Sequence, residues 1–142
     1  MGSQELYDWL DAEPQLFHPG DLDYIHSVER ISKLSNVISI NGGVQLDLMG
    51  QENAESTGTR QLSGVGGQMD FLEGAYRSKG GKGFICINSS RVTKDGERKS
   101  NILATIPGGS TISAPRTMIQ YVATEYGIAS LSGKTLRERA EA

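Results

Sequence analysis

The chain has 142 residues, 37% of them hydrophobic and 22% charged, with a net charge of −3. That length fits one domain with room for a core, and the slight acidity gives no electrostatic case for nucleic acid. Cys86, the single cysteine, excludes an internal disulfide and fits a reducing compartment. With no apolar run of membrane-spanning length and no signal peptide, a cytoplasmic protein is expected.

Ser3 reads as the cap of a first helix carrying Leu6, Trp9 and Leu10 on one face. Pro14 and Pro19-Gly20 break it. Ser27 caps a second helix, with Val28, Ile31 and Leu34 packed inward. Val37 to Ile40 reads as a strand, Asn41-Gly42-Gly43 as a turn, and Val44 to Leu48 as a half-buried strand hairpinned to it. Met49 to Ser63 is polar and weakly patterned, as a long loop would be. Its carboxylates Glu52 and Glu55, like Asp70 and Glu73, read as solvated surface charges.

Glycines number 18, roughly twice the usual ~7%, and they cluster. Gly64, Val65, Gly66 and Gly67 form a turn leading into a short helix with Met69, Leu72, Ala75 and Tyr76 on one face. A second cluster, Lys79 to Gly83, precedes the apolar run Phe84 to Ile87. That run reads as a buried strand enclosing an inert Cys86. A glycine turn at a helix start leaves backbone N–H groups free for an anion or a developing oxyanion. Lys79 and Lys82 add charge that suits phosphates. The competing reading is a tight connection and nothing more.

Further on, Lys94 to Glu97 is a turn. Asn101 to Ile106, Ser110 to Ala114 and Tyr121 to Thr124 are strand-like, and Thr135 to Glu138 is a capping box. Strands alternating with short helices predict an α/β domain with a mixed sheet. Asn41 and Glu125 each end a strand, where sites gather in α/β sheets. Each could equally bond backbone at its turn. Gly127 to Gly133 encloses five residues where the Walker pattern needs four, so a helix-entry turn is the better reading. His18 and His26 have no cysteine or paired carboxylate near in sequence, so no metal site is expected. No G-x-S-x-G elbow supports serine hydrolysis.

The stretches Gly64 to Ala75 and Ser78 to Lys82 resemble the C-terminal domain of the acetyl-CoA hydrolase/transferase family. The 4-hydroxybutyrate and butyrate:acetate coenzyme A-transferases are the members most alike. The likeness continues through Gly2 to Leu10, Ile38 to Asn41, Val44 to Gln51, Pro115-Arg116, Val122 to Gly127 and Leu131 to Ala140. It implies that residues 1–142 are one coenzyme A-transferase-like α/β domain, a mixed sheet flanked by short helices. It also implies that the upstream half of the family enzyme is absent.

The family's chemistry implies an upstream glutamate that attacks an acyl-CoA thioester, giving an anhydride and then a glutamyl-CoA thioester. An acceptor carboxylate next takes the CoA. Here the glycine loop stabilises the oxyanions and meets CoA. The resemblance therefore places Gly64, Val65, Gly66, Gly67 and Gln68 at the CoA thioester, with Lys79 and Lys82 at its phosphates. Gly67, Asn41 and Glu125 become the catalytic candidates. The implied partners are an acyl-CoA, a small carboxylate, the missing half and a second copy of the chain, without nucleic acid, membrane or metal. The isolated chain is expected to be inactive. An acyl-CoA hydrolase on the same scaffold and a non-catalytic CoA-binding module stay open as alternatives.

Overall fold

A computed structural model describes residues 2–142. Ser3 caps α1 (Gln4–Ala12) by accepting a hydrogen bond from the Leu6 amide. No residue of α1 is buried, but Trp9 meets Phe17 edge-on at 4.7 Å. A 3-10 turn, Pro14–Leu16, leads to α2 (Leu22–Ile25) and then to α3 (Val28–Lys33), capped by Ser27 as expected. Only Ile31 of the predicted inward face of α3 is buried; Leu34 is exposed.

The main sheet has four strands: β1 (Ile38–Gly42), β6 (Lys82–Cys86), β10 (Tyr121–Thr124) and β11 (Gly127–Ser130), in the order β1-β6-β10-β11. The first three are parallel and β11 is antiparallel, so the sheet is mixed as predicted. A three-stranded sheet in the order β3-β2-β9 joins β2 (Gln45–Asp47), β3 (Glu52–Asn53) and β9 (Ile102–Leu103). Two hairpins complete the strands: β4 (Ser56–Thr57) with β5 (Arg60–Gln61), and β7 (Ser90–Val92) with β8 (Arg98–Ser100).

Between β1 and β6 runs α4 (Gln68–Arg77), which packs on both strands and on α3. Leu72 of α4 is fully buried, and a Cβ at Gly83 would come within 2.9 Å of its side chain. Ile85, Val122, Ile119 and Leu131 continue this core, which Leu46 extends toward the second sheet. The last helix, α5 (Leu136–Ala140), starts with the predicted capping box of Thr135 and Glu138.

Several expectations fail, each for a physical reason. The hairpin between β1 and β2 does not form. At Gly43 the chain leaves the main sheet, and β2 becomes the centre of the second one, all three of its residues buried. Its polar side chains are satisfied inside: Gln45 accepts from Asn53, and Asp47 accepts from the Met49 and Gln51 amides. The supposed loop from Met49 to Ser63 carries β3, β4 and β5, two-residue ladders too short to show a period. Residues 110–114 form no strand beyond one bridge from Ala114 to Glu52, and the run 101–106 shrinks to β9. Cys86 is exposed because β6 alternates: Ile85 faces α4 and Cys86 the uncovered side. Residues 127–130 are strand β11, so the segment is not a phosphate loop.

The α3–α4 contact is tight at Gly74, where a Cβ would lie 2.4 Å from Ile31 Cγ2. Gly74→Ala should cost about 1–3 kcal/mol by overpacking, despite alanine's better helix propensity. Urea unfolding of Gly74→Ala, Ile31→Ala and the double variant checks this, because Ile31→Ala removes the Cγ2 that the new methyl meets. The double variant should recover part of the loss.

Candidate functional site

The connection from α4 to β6 fixes where the glycine turn lies. The Val37 amide, just before β1, donates to Ser78 Oγ at the end of α4, and the Lys82 amide donates to the Val37 carbonyl. The C-terminal end of α4 therefore sits at the start of both strands. Its N-terminus, and the turn before it, sit at their carboxyl ends, where α/β sheets build sites.

The turn is held from behind. The amides of Leu62 and Ser63 donate to the Glu55 carbonyl at 2.6 and 3.2 Å. Gly66 then takes φ 59, a left-handed conformation costly for side chains. Gly67 caps α4 with no side-chain hydrogen bond. Among the described residues, the amides of Val65, Gly66, Gly67 and Gln68 donate to no protein acceptor. Those open donors and the helix dipole make a seat for negative charge.

Around the turn lies a hollow of ≈430 Å³, lined by Gly66, Gly67, His26, Ser27 and Asp70 among others. His26, for which the sequence offers no partner, does have one here. Its ring lies on Gly67 so closely that a Cβ there would be 2.4 Å from Cε1. His26 Nδ1 is 3.4 Å from an Asp70 carboxylate oxygen, and the ring meets Phe71 edge-on at 5.1 Å. No local spacing signals this contact, because α2 and α4 meet only in the fold.

Asn41 and Glu125 share that carboxyl edge. The Asn41 side-chain amide donates to Ser39 Oγ at 2.8 Å on β1. Glu125 lies in the turn between β10 and β11, two strands away, and accepts from the hydroxyl and the amide of Ser89. These bonds, the hydroxyl's first, hold its carboxyl below the usual glutamate range. Lys79 and Lys82 are not brought to this edge. They lie beyond the other end of α4, about 15 Å along a ten-residue helix.

Glu52 corrects the expectation most sharply. It was expected in solvent; it is fully buried. Its backbone pairs with Leu46 on one side and Ala114 on the other. Its Oε2 accepts from Gln68 Nε2 at 2.7 Å, and its Oε1 has no partner. A Cβ at Gly43 would lie 3.1 Å from that Oε1. Burial pushes the Glu52 carboxyl up to about 7; the Gln68 bond opposes this, and the Glu55 charge adds to it. No local pattern marks Glu52, since Gln51-Glu52-Asn53 reads as any polar loop.

A second hollow of ≈350 Å³ lies between the sheets, apolar from Leu46, Val122 and Leu131, with Arg139 at its wall; the glycine turn takes no part in it.

A βαβ crossover with unbonded turn amides at the carboxyl edge of its parallel strands defines an α/β domain of the kind that gathers sites at that edge. Residues 2–142 match the family described as "Acetyl-CoA hydrolase/transferase C-terminal domain", and the chain belongs to that family. It is 45% identical over 142 residues to the 4-hydroxybutyrate coenzyme A transferase of Clostridium kluyveri, spanning 100% of this chain and 32% of that protein. It is 43% identical over 141 residues to the butyryl-CoA:acetate CoA-transferase of Anaerostipes caccae, spanning 99% of this chain and 31% of that one. The crystal structure of RipA from Yersinia pestis superposes with a TM-score of 0.82 at 37% identity, over 99% of this chain and 31% of that one. The chain thus spans about a third of the length of the relatives it matches.

The raised Glu52 carboxyl makes stability fall with pH. The folded state holds the proton more tightly than the unfolded chain, so the contribution is intact below the ordinary glutamate value of 4.5 and lost as pH rises to about 7. The loss is about 3 kcal/mol for a shift of this size. Urea midpoints of the parent chain should drop between those limits, whereas Glu52→Gln should stay flat across them.

Proposed function

We propose that this chain is the thioester-binding part of a coenzyme A-transferase. The reaction moves CoA between an acyl-CoA and a small carboxylic acid of the butyrate, 4-hydroxybutyrate or acetate kind. The observation that carries this reading is the row of unbonded amides from Val65 to Gln68, open at the edge shared with Asn41 and Glu125. The relatives' names supply the substrate class.

In this reading a glutamate carboxylate outside these 142 residues attacks the thioester carbonyl. The CoA thiolate leaves, and an acyl-glutamyl anhydride remains. The thiolate then attacks the glutamyl carbonyl, releases the first carboxylate and leaves a glutamyl-CoA thioester. The acceptor acid reverses the sequence. Each addition puts negative charge on an oxygen, which the Gly67 amide stabilises. Asn41 and Glu125 line the acyl side. The carboxylates nearest the turn do not suit the nucleophile's role: Glu52 is sealed in, and Asp70 faces His26.

CoA is long, and its pantetheine arm separates the thioester from its phosphates. Lys79 and Lys82 therefore need not adjoin the turn to meet them. Other partners under this reading are the polypeptide that corresponds to the rest of the relatives and a second copy of the chain. A reducing cytoplasm suits the exposed thiol of Cys86. The family description also names hydrolases. Water in place of the acceptor acid would give that outcome, and acetate dependence of product formation separates the two.

Acetyl-CoA titrated into the 15N-labelled chain should shift the amides of Gly64 to Gln68 at millimolar ligand, and the chain alone should exchange no CoA between butyryl-CoA and acetate. Gly67→Ala, whose new methyl collides with His26, should abolish the shifts. Undisturbed turn amides in the parent chain, or exchange by it alone, would overturn this reading.

A further inference from the structure

Gln68 is the first residue of α4, and its side chain is 8% exposed. Its only hydrogen bond runs to Glu52, sixteen positions earlier on β3. Glu52 is itself fixed on both sides by backbone pairing, to Leu46 and to Ala114. At its helix end the glycine turn therefore has this one side-chain anchor among the described residues, and that anchor is a carboxyl group with one oxygen left without a partner.

We propose that Glu52 is a positioning residue for the glycine turn: its buried carboxyl holds Gln68 and so sets where the amides of Gly66 to Gln68 point. The thioester reading matters here only for what those amides would meet; the coupling itself does not depend on it.

The two charge states of the carboxyl hold Gln68 with different strength. As a carboxylate, Glu52 accepts a charge-assisted bond from Gln68 Nε2, beneath the positive end of α4. As an acid protonated on Oε2, it must donate, and Gln68 must turn its amide over to present an oxygen. Protonated on the unpartnered Oε1, it keeps only a neutral Oε2 as acceptor, a weaker partner for Gln68 Nε2 than a carboxylate oxygen. Either change loosens the hold on the first turn of a helix whose capping residue has no side chain to hold it.

The charged and titratable groups around the pair are few. Glu55 lies on the same segment, its carboxylate accepting from Ser113 Oγ at 2.6 Å. Asp70 and His26 face the turn from the hollow, on α4 and after α2. From β6, Ile85 reaches the same spot beside Gly43 and carries no charge. Burial places the Glu52 titration at about 7, so both states are reached under mild conditions.

NMR titration of this chain without any CoA, from roughly pH 5 to 9, tests the coupling. The Glu52 carboxyl carbon, the Gln68 side-chain amide and the backbone amides of Gly66 and Gly67 should share one midpoint near 7. Glu52→Gln should remove that shared wave from the Gln68 side chain and from the turn amides. Gln68→Ala should keep the Glu52 wave but uncouple the turn amides from it, which decides the matter even if the first variant folds poorly. Turn amides that ignore the Glu52 midpoint, or follow it unchanged in either variant, would overturn the proposal. Failure of the transferase reading would leave this titration untouched, because no thioester is in the sample.

Discussion

Leu72 packed against Gly83 sets the geometry from which the site follows. The side chain has no exposed surface, and a methyl group on Gly83 would intrude on it. Burial of this kind is worth about 1.5–3 kcal/mol per large apolar side chain. It lays α4 flat on β6 with its axis opposed to the strands. From there the outcome is forced by connectivity. A short connection ties the end of α4 to the start of β6, so the start of α4 must emerge at the far edge. The glycine turn precedes that start, and so its amides open where Asn41 and Glu125 also arrive.

Much of this could be read from the residues. Helix caps rest on single side chains, so Ser3, Ser27 and Thr135 were legible one at a time. The strand at Tyr121 and the helix after Gly67 carry enough apolar period to be seen locally. The glycine turn was legible for the same reason: the residues that shape it are consecutive. What escaped is non-local. Glu52 is polar, in a polar segment, and becomes interior only because β2, Ala114 and Gln68 close around it from three distant parts of the chain. His26 joins the site only when α2 docks beside α4. Cys86 was misjudged because an apolar run hides which alternate residue faces out, and β6 is covered on one side only.

The interior of the second sheet differs in kind from that of the first. Under α4 the core is Leu, Ile and Val. Around β2 and β3 it is built from Asp47, Asn53, Ser56 and Gln45, each bonded to backbone or to another of the group. Asn53 alone bonds Gln45, the Ser56 carbonyl and the amides of Glu55 and Ser56. Such a network specifies one arrangement rather than many, since a shifted strand would leave several buried groups unpaired. It fixes the segment that presents both the Glu55 carbonyl to Leu62 and the Glu52 carboxyl to Gln68. The glycine turn is thus gripped at each end by the same short ladder.

That grip explains how a loop with three glycines within five residues of its helix can hold a defined shape. Glycine raises the entropy lost on ordering, by roughly 0.5–1 kcal/mol per residue relative to alanine. A free turn of this composition would sample many directions, and its amides would solvate separately. Clamping Leu62 and Ser63 on one side and Gln68 on the other leaves only the residues between them to order. His26 fills the space over Gly67 and limits those as well. Donors aimed before a charge arrives need no reorganisation when it forms, and this is what gives fixed amides their advantage over water. The polar ladder beneath the turn and the apolar helix behind it therefore act on one quantity: how little the amides of Gly66 to Gln68 must move.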